Sequence, residues 1–312
     1  MGSPTPPVDG VNYNSTLSPT PPGDGVNYNS TLSLDDWKYL LDNGKFSETD
    51  DVRTKALEEI SNWLNENPQI GANPDPRNLL RFLRHSKYRL DVCKKKIENF
   101  YLLRSKVPEW FQNRDLSQPL LRDLLELGPF LPLLKKDSSK RTTIIIRATV
   151  HDPAIISQNT LMKLDNMVFD LAMERDETIN IYGVNVILDL RNVRMGHLLS
   201  PATVKKAVHS WQDCYPVSPK RFDFIFVPKL IDVALSVFRR FMTAKMRARV
   251  HVHGVSLESL HAQVDPSILP IEYGGTAGPV QDLIDYWKQE VLNAKDWYLE
   301  EDKFCTVLEK PK

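Results

Sequence analysis

Val184-Asn-Val-Ile-Leu188 and Phe222-Asp-Phe-Ile-Phe-Val227 are apolar at most positions and rich in β-branched and aromatic residues, the pattern of short strands covered on both faces. Two runs of the same kind, Thr142 to Ala148 and Val250 to His253, flank them along the chain. Between the first two runs Leu161, Leu164, Met167, Val168, Leu171 and Ala172 recur at three- and four-residue steps, and Pro201 to Trp211 follows a Ser200 cap in the next interval. Strand, helix, strand, helix, strand predicts right-handed crossovers and an α/β domain with a mainly parallel sheet.

Before about Pro129 the period is helical. Leu34, Trp37, Leu40 and Leu41, then Ala56, Ile60, Trp63 and Leu64, then Leu79, Leu80, Phe82 and Leu83 repeat at helical steps, so a small bundle is expected from Leu34 to about Gln112. Asp75-Pro76 marks a turn into a helix with a basic face of Arg77, Arg81 and Arg84. The next helix, Asp91 to Arg104, is read as capped by Asp91 with Lys94, Lys95 and Lys96 toward solvent. In front of the bundle, Pro4 to Ser18 recurs as Pro19 to Ser33 with only Val8 and Gly23 differing. This duplication has too few large aliphatics to offset its ordering entropy and reads as a disordered tail. The expected division is therefore a tail at 1–33, a helical region at 34–115, an α/β domain at 116–280 and a C-terminal helix and tail at 281–312.

Composition narrows the function classes. The 312 residues carry 40 Lys+Arg against 40 Asp+Glu, and 41% are hydrophobic, with a mean hydropathy of −0.35. Zero net charge gives no global field toward nucleic acid or anionic lipid, so any such affinity must come from a local cluster. No apolar run is long enough to span a bilayer, and the three separated cysteines fit a reducing compartment, so a cytoplasmic, monomeric protein without bound nucleic acid is expected. Enzyme readings are weak. His251 and His253 alternate on a strand and share a face, but no third metal ligand accompanies them, so structural hydrogen bonding is expected and no metal. Cys214 beside Asp213 lacks a glycine-rich elbow and reads as a buried thiol. Asp189, at a strand end, suits either an active-site carboxylate or a loop cap. Neither G-x-G-x-x-G nor G-x-x-x-x-G-K-[ST] occurs, so no nucleotide cofactor is expected, nor any other.

Between Pro228 and Arg249, Leu230, Ile231, Val233, Ala234, Leu235, Val237, Phe238, Phe241 and Met242 spread over more than half of a helical wheel. Such a width suits a buried crossover helix, or one that covers a cavity or meets a membrane. Lys245, Arg247 and Arg249 follow directly, and with Arg239 and Arg240 form a dense basic run, either solvated charge or a site for an anionic headgroup.

Arg81-Phe-Leu-Arg84, Trp211-Gln-Asp-Cys-Tyr-Pro216, Phe224-Ile-Phe-Val-Pro228, Arg249-Val-His-Val-His-Gly254, Leu257-Glu-Ser-Leu-His261 and Ile268-Leu-Pro-Ile-Glu-Tyr-Gly-Gly275 together resemble the CRAL-TRIO (Sec14-like) lipid-transfer family. The resemblance is greatest to its alpha-tocopherol transfer protein, clavesin and cellular retinaldehyde-binding protein branch, in the form common in insects. It implies an all-helical CRAL-TRIO-N bundle followed by a Sec14-like α/β domain, whose mobile lid helix would fall on Pro228 to Met242. The implied pocket wall is Phe169, Val184, Val186, Leu188, Met195, Leu199, Trp211, Tyr215, Val217 and Phe222, with Leu230, Ile231, Ala234, Leu235 and Phe238 from the lid. Tyr215 is the one polar anchor it suggests for cargo. The cargo implied is one small hydrophobic lipid such as tocopherol, a retinoid, a carotenoid or another isoprenoid. Relatives that bind phosphoinositide imply a membrane site at Lys220, Arg221, Lys245, Arg247 and Arg249; Ser86 and Ser218 stand where such relatives place further cations, with Lys87 and Lys220 beside them. The expected function is a soluble, non-enzymatic carrier that associates peripherally with anionic membranes, the alternative being a non-transporting membrane-recruitment adaptor in vesicle traffic.

Overall fold

The computed structural model describes residues 30–42, 47–228 and 232–307. Helices α1 (Leu34–Asp42), α2 (Asp50–Glu66), α3 (Pro76–His85), α4 (Leu90–Lys106), α5 (Pro108–Phe111) and α6 (Pro119–Leu127) precede the sheet. Then come β1 (Phe130–Pro132), β2 (Thr142–Arg147), α7 (Gln158–Arg175), α8 (Thr178–Tyr182), β3 (Val184–Asp189), α9 (Pro201–His209) and β4 (Pro219–Ile225). Helices α10 (Asp232–Phe241) and α11 (Ala244–Arg247), strand β5 (Val250–Val252), and helices α12 (Glu258–His261), α13 (Val280–Asn293) and α14 (Lys295–Glu301) complete the order.

The five strands run in the order β1-β2-β3-β4-β5. β1 is antiparallel to β2, while β2–β3, β3–β4 and β4–β5 are parallel, so the expected mainly parallel sheet with interleaved helices is present. β1 was not legible: three residues that include a proline carry no period.

Helix starts follow local chemistry. Asp75 accepts from the backbone N–H groups of Arg77 and Asn78 with Pro76 in the first turn, and Ser157, Ser200 and Thr243 cap α7, α9 and α11 in the same way. α4 differs from the expectation, because Arg89 is its cap residue and Asp91 lies inside the first turn. In the Tyr-Gly-Gly motif, a Cβ on Gly275 would lie 2.0 Å from the Leu269 carbonyl oxygen, so only glycine fits that close approach.

One continuous core joins the helical region to both sheet faces, from Ile60, Leu79 and Phe100 through Phe169 to Ile187, Tyr273 and Trp287. The predicted basic face of α3 is turned inward, and of the three α4 lysines Lys96 is turned inward too, whereas Lys95 stays exposed as expected. Arg84 meets Glu48 at 2.8 Å and Glu177 at 2.6 Å, all nearly fully buried, and Arg81 pairs with Glu174. Lys96, also buried, donates to the Gln212 and Tyr215 carbonyls at 3.1 Å. Asp170 accepts from Arg104 at 2.7 Å, Arg114 at 2.9 Å and the Tyr215 hydroxyl at 3.0 Å, tying α4 and the segment after α5 to α7. Most of the duplicated tail lies outside the described residues, but its last four residues are docked: Leu32 is buried beside Trp37 and Leu40, and the Thr31 N–H donates to Glu177 at 2.7 Å.

Candidate functional site

Cross-strand register places Ile144, Val186, Phe222 and Val250 in one row and Ile146, Leu188 and Phe224 in the next, all on one face of the sheet. The opposite face is closed, with Ile145, Ile187 and Ile225 fully buried. On the first face Ile144, Val184 and Val186 join the main core, yet Ile146, Leu188, Phe222 and Val250 are only half-buried although β2, β3 and β4 are interior strands. α10 stands over this part. Leu235 packs with Leu190, Phe224 and Leu188, while Val237 and Phe238 meet Val204 and Val208 of α9 together with Met242 and Met246. The result is a partly accessible apolar face between the sheet and the α9–α10 pair, called the trough below.

Aromatic rings close the inner end. Phe169 stacks on Trp211 with centroids 4.8 Å apart, Trp211 meets Phe222 edge-on at 6.2 Å, and Tyr215 lies 5.0 Å from Phe169. Trp211 reaches them from a π-helical turn, Ser210–Cys214, closed by the Tyr215 N–H donating to the Ser210 carbonyl at 3.0 Å; such turns re-aim a side chain that a continuous α-helix would point elsewhere. Val217 is buried in the adjoining core, and Leu199 packs against the Val204–Val208 cluster.

Three expectations need correction or fall away. Met195 is 81% exposed, because it opens a tight turn whose inward residue is His197, bonded to the His151 carbonyl at 3.0 Å, so it is not pocket wall. Tyr215 cannot anchor a cargo, since its hydroxyl is taken by Asn166 and Asp170, both at 3.0 Å. Leu230, Ile231 and the Ala234 side chain lie outside the described residues.

The basic residues gather at the amino-terminal edge of the same sheet. Parallel strands start side by side, so Arg141 before β2, Lys220 in β4 and Arg249 before β5 share that edge. Val184 pairs with Pro219 and Asn185 with Arg221, which leaves Lys220 unpaired in a bulge. Gly183, with φ +85°, makes room for it: a Cβ there would lie 2.7 Å from the Lys220 Cε. Burial, and then Arg249, Arg141, Lys87 and Lys245, push the Lys220 ammonium down to about 8. Every charge that acts on Lys220 is a cation, and no carboxylate pairs with Lys220, Lys245, Arg141 or Arg249 among the described residues. Arg141 escaped the sequence reading; the parallel topology was the signal that could have found it. Arg221 does not belong, since it points to the opposite face, 2.7 Å from the buried Asp223. Arg247 is exposed on α11 and reaches back to the Arg239 carbonyl at 3.4 Å.

The remaining chemistry-bearing residues are held structurally. A cleft of about 460 Å³ at the carboxyl ends of β2 and β3 is lined by Arg147, Asp189, Arg191, Glu272 and Tyr273. Its charges satisfy one another: Asp189 caps the loop by accepting from the Arg191 N–H, pairs with the Arg191 guanidinium at 2.6 Å, and accepts from the Tyr273 hydroxyl at 2.9 Å. His253 bridges Asp223 at 2.9 Å and Ser259 at 2.8 Å. Burial pushes the Cys214 thiol up to about 12, which leaves it protonated and unreactive.

An accessible apolar face on one side of the sheet, with a cluster of cations at the edge of the same sheet, is chemistry suited to an apolar ligand and an anionic surface. The CRAL/TRIO domain model matches residues 128–275, and a Pinta-like UBA domain model matches residues 49–121. The alpha-tocopherol transfer protein-like protein of Homo sapiens is 27% identical over 276 residues, covering 83% of this chain and 79% of the relative. Clavesin-2 of Rattus norvegicus is 25% identical over 252 residues, covering 80% and 76%. Among solved structures, Sfh5 superposes with a TM-score of 0.47 at 10% identity over 79% of this chain and 98% of that one. Residues 128–275 thus carry a CRAL/TRIO domain, and the chain as a whole is similar to tocopherol-transfer-like proteins and clavesins. No helix among the described residues is long and apolar enough to cross a membrane.

Proposed function

We propose that this protein is a non-enzymatic carrier that holds one isoprenoid-type lipid, such as tocopherol, a retinoid or a carotenoid, in the trough beneath α10 and exchanges it at anionic, phosphoinositide-bearing membranes. The observation that carries this reading is the half-buried apolar face made by Ile146, Leu188 and Phe222 on interior strands, continued by Val250 on the edge strand β5. Interior sheet faces are ordinarily sealed, and a face left accessible under an amphipathic helix has room for an apolar guest. The name of the tocopherol-transfer relative supports the choice of lipid class. For a lipid of about twenty carbons, burial at ~0.8 kcal/mol per CH₂ is worth on the order of 15 kcal/mol before entropy costs, so release into water is impractically slow. Release at a membrane removes that barrier: the cluster of Lys220, Lys245, Arg249 and Arg141 docks on the leaflet, α10 swings out as a lid, and the lipid passes directly into the bilayer. The test is organic extraction of protein purified from its host, with mass spectrometry, followed by transfer between vesicles. One stoichiometric apolar ligand that transfers to acceptor vesicles supports the carrier. An empty or randomly filled trough on a protein that still binds anionic vesicles replaces it with the recruitment adaptor.

A further inference from the structure

One buried carboxyl on α7, the helix that carries Phe169, has no structural work. Asp165 sits in the middle of α7, one turn before Phe169 and on the stripe that also carries Met162, Phe169 and Ala172. Its residue exposure is 5%. Oδ1 is buried with no hydrogen-bond partner, and neither oxygen is bonded among the described residues. The contrast with its neighbours is plain: Asp170 is held by two arginines and a tyrosine, and Asn166 by Tyr215. Burial alone, unopposed by any cation or donor, pushes the Asp165 carboxyl well above the usual carboxylate range and so favours the neutral acid.

Buried polar groups without partners are rare in folded proteins, and a neutral acid beside an aromatic wall is a ready hydrogen-bond donor and acceptor that lacks its complement. The complement is a group that both accepts and donates, which is a hydroxyl. An aldehyde would satisfy only the O–H, a hydrocarbon would satisfy nothing, and a carboxylate would bury a charge where no cation stands. We infer that Asp165 is the polar anchor of the trough, and that it selects a lipid alcohol over the corresponding aldehyde, hydrocarbon or carboxylate. This rests on the carrier reading above and narrows its cargo class.

The test equilibrates the purified full chain with phosphatidylcholine vesicles containing equal amounts of four C20 isoprenoid probes (alcohol, aldehyde, carboxylic acid and hydrocarbon), and quantifies by mass spectrometry what the recovered protein retains. Wild type should retain the alcohol about tenfold over the hydrocarbon, as expected for one satisfied buried pair. In Asp165→Leu that ratio falls to about one with hydrocarbon retention intact, while Asp165→Asn, which still donates and accepts, keeps most of the preference. Asp165→Leu should also melt about 2–4 °C higher, because it removes an unpartnered polar group, whereas loss of a structural carboxylate would lower the melting temperature. A wild type that retains alcohol and hydrocarbon equally, or a Leu variant that keeps the preference, overturns the anchor and leaves the carrier standing. A wild type that retains none of the four probes overturns both.

Discussion

Phe169 and Trp211 stack with centroids 4.8 Å apart and planes inclined by 24°, and the pair links α7 to the π-helical turn at the inner end of the trough. Trp211 is only partly buried, and its other side meets Phe222. Truncating it should therefore empty wall rather than core. Trp211→Ala is expected to lower the amount of co-purifying lipid at least tenfold while the protein stays folded, read by extraction and thermal melting. Phe169→Ala, at a fully buried site, is expected to cost about 3–5 kcal/mol of stability as well. Equal lipid content in Trp211→Ala and wild type would place the cargo elsewhere.

The cations at the sheet edge and Arg221 separate cleanly in what they should do. Each basic residue near an anionic surface contributes roughly 1 kcal/mol, so Lys245→Ala combined with Arg249→Ala should weaken binding to phosphoinositide-containing vesicles by about 30-fold at low salt, with little change in melting. Arg221→Ala removes one of the two partners of buried Asp223, leaving His253 alone, and should lower the melting temperature by several degrees while vesicle affinity holds. Sedimentation with vesicles and thermal melts of the same preparations decide both. Loss of vesicle binding in Arg221→Ala at full stability would return that residue to the membrane site.

Lys220 gives the membrane step a pH signature. Its ammonium is pushed down to about 8 by burial and by Arg249, Arg141, Lys87 and Lys245, so it is charged below that pH and neutral above it. An anionic headgroup favours the charged form, so vesicle affinity should be level below pH 7 and fall as the pH rises through about 8, with the step absent in Lys220→Met. The stability sign is opposite. Because the folded value lies below the unfolded value of about 10.4, the unfolded chain holds the extra proton between the two, and stability rises with pH across that window. Lys220→Met should accordingly melt higher than wild type at pH 7. A flat affinity profile from pH 7 to 9 would remove Lys220 from the docking surface.

Glu177 sets the acid limit of the fold. Burial raises its carboxyl, but Arg84, the Thr31 N–H and Arg77 outweigh that and leave it below the usual carboxylate range. A depressed folded value contributes stability above about pH 4.3 that is lost as the pH falls through the folded value. Glu177→Gln strands the Arg84 guanidinium between Glu48 and a neutral amide. It is expected to cost about 3–5 kcal/mol at pH 7 and to flatten the acid arm of a melting-temperature profile. The same carboxylate holds Thr31, so the variant should also speed proteolysis of the segment before α1.

The sheet was legible because β-branched runs spaced by helical periods admit few topologies, whereas the pocket wall came only from the family resemblance, carried over by position. What the sequence hid depended on partners far along the chain. Arg81 and Arg84 read as a basic helix face and Lys96 as solvated charge, and only tertiary packing brings Glu174, Glu48, Glu177 and the Gln212 and Tyr215 carbonyls to them. Arg221 entered the membrane site through the family resemblance, and a one-residue bulge at Lys220, which turns the two neighbours apart, cannot be seen without the register of the adjacent strand. Met195 read as apolar wall because an exposed methionine in a tight turn and a buried one have the same letter. Asp165 drew no notice because one acidic residue among many helical apolar ones is ordinary; its meaning lies in the partners it lacks.

Phe238 and Met195 together test whether the accessible apolar face is the one that matters. Phe238 lies half-buried on α10, packed with Val204 and Val208 of α9 and with Met242 and Met246, whereas Met195 is 81% exposed outside the trough. A carboxylate at position 238 would sit against apolar surface with no cation in that cluster, so Phe238→Asp must either expel α10 from its seat or admit water beneath it. Either outcome should abolish lipid retention, and because α10 packs over the sheet rather than within the main core, the melting temperature should fall only modestly. Met195→Asp, which leaves its side chain in solvent, should retain lipid as wild type does. Mass spectrometry of the two variants purified side by side checks the pair: a Phe238→Asp protein that still carries its full complement of lipid would mean that α10 does not cover the cargo.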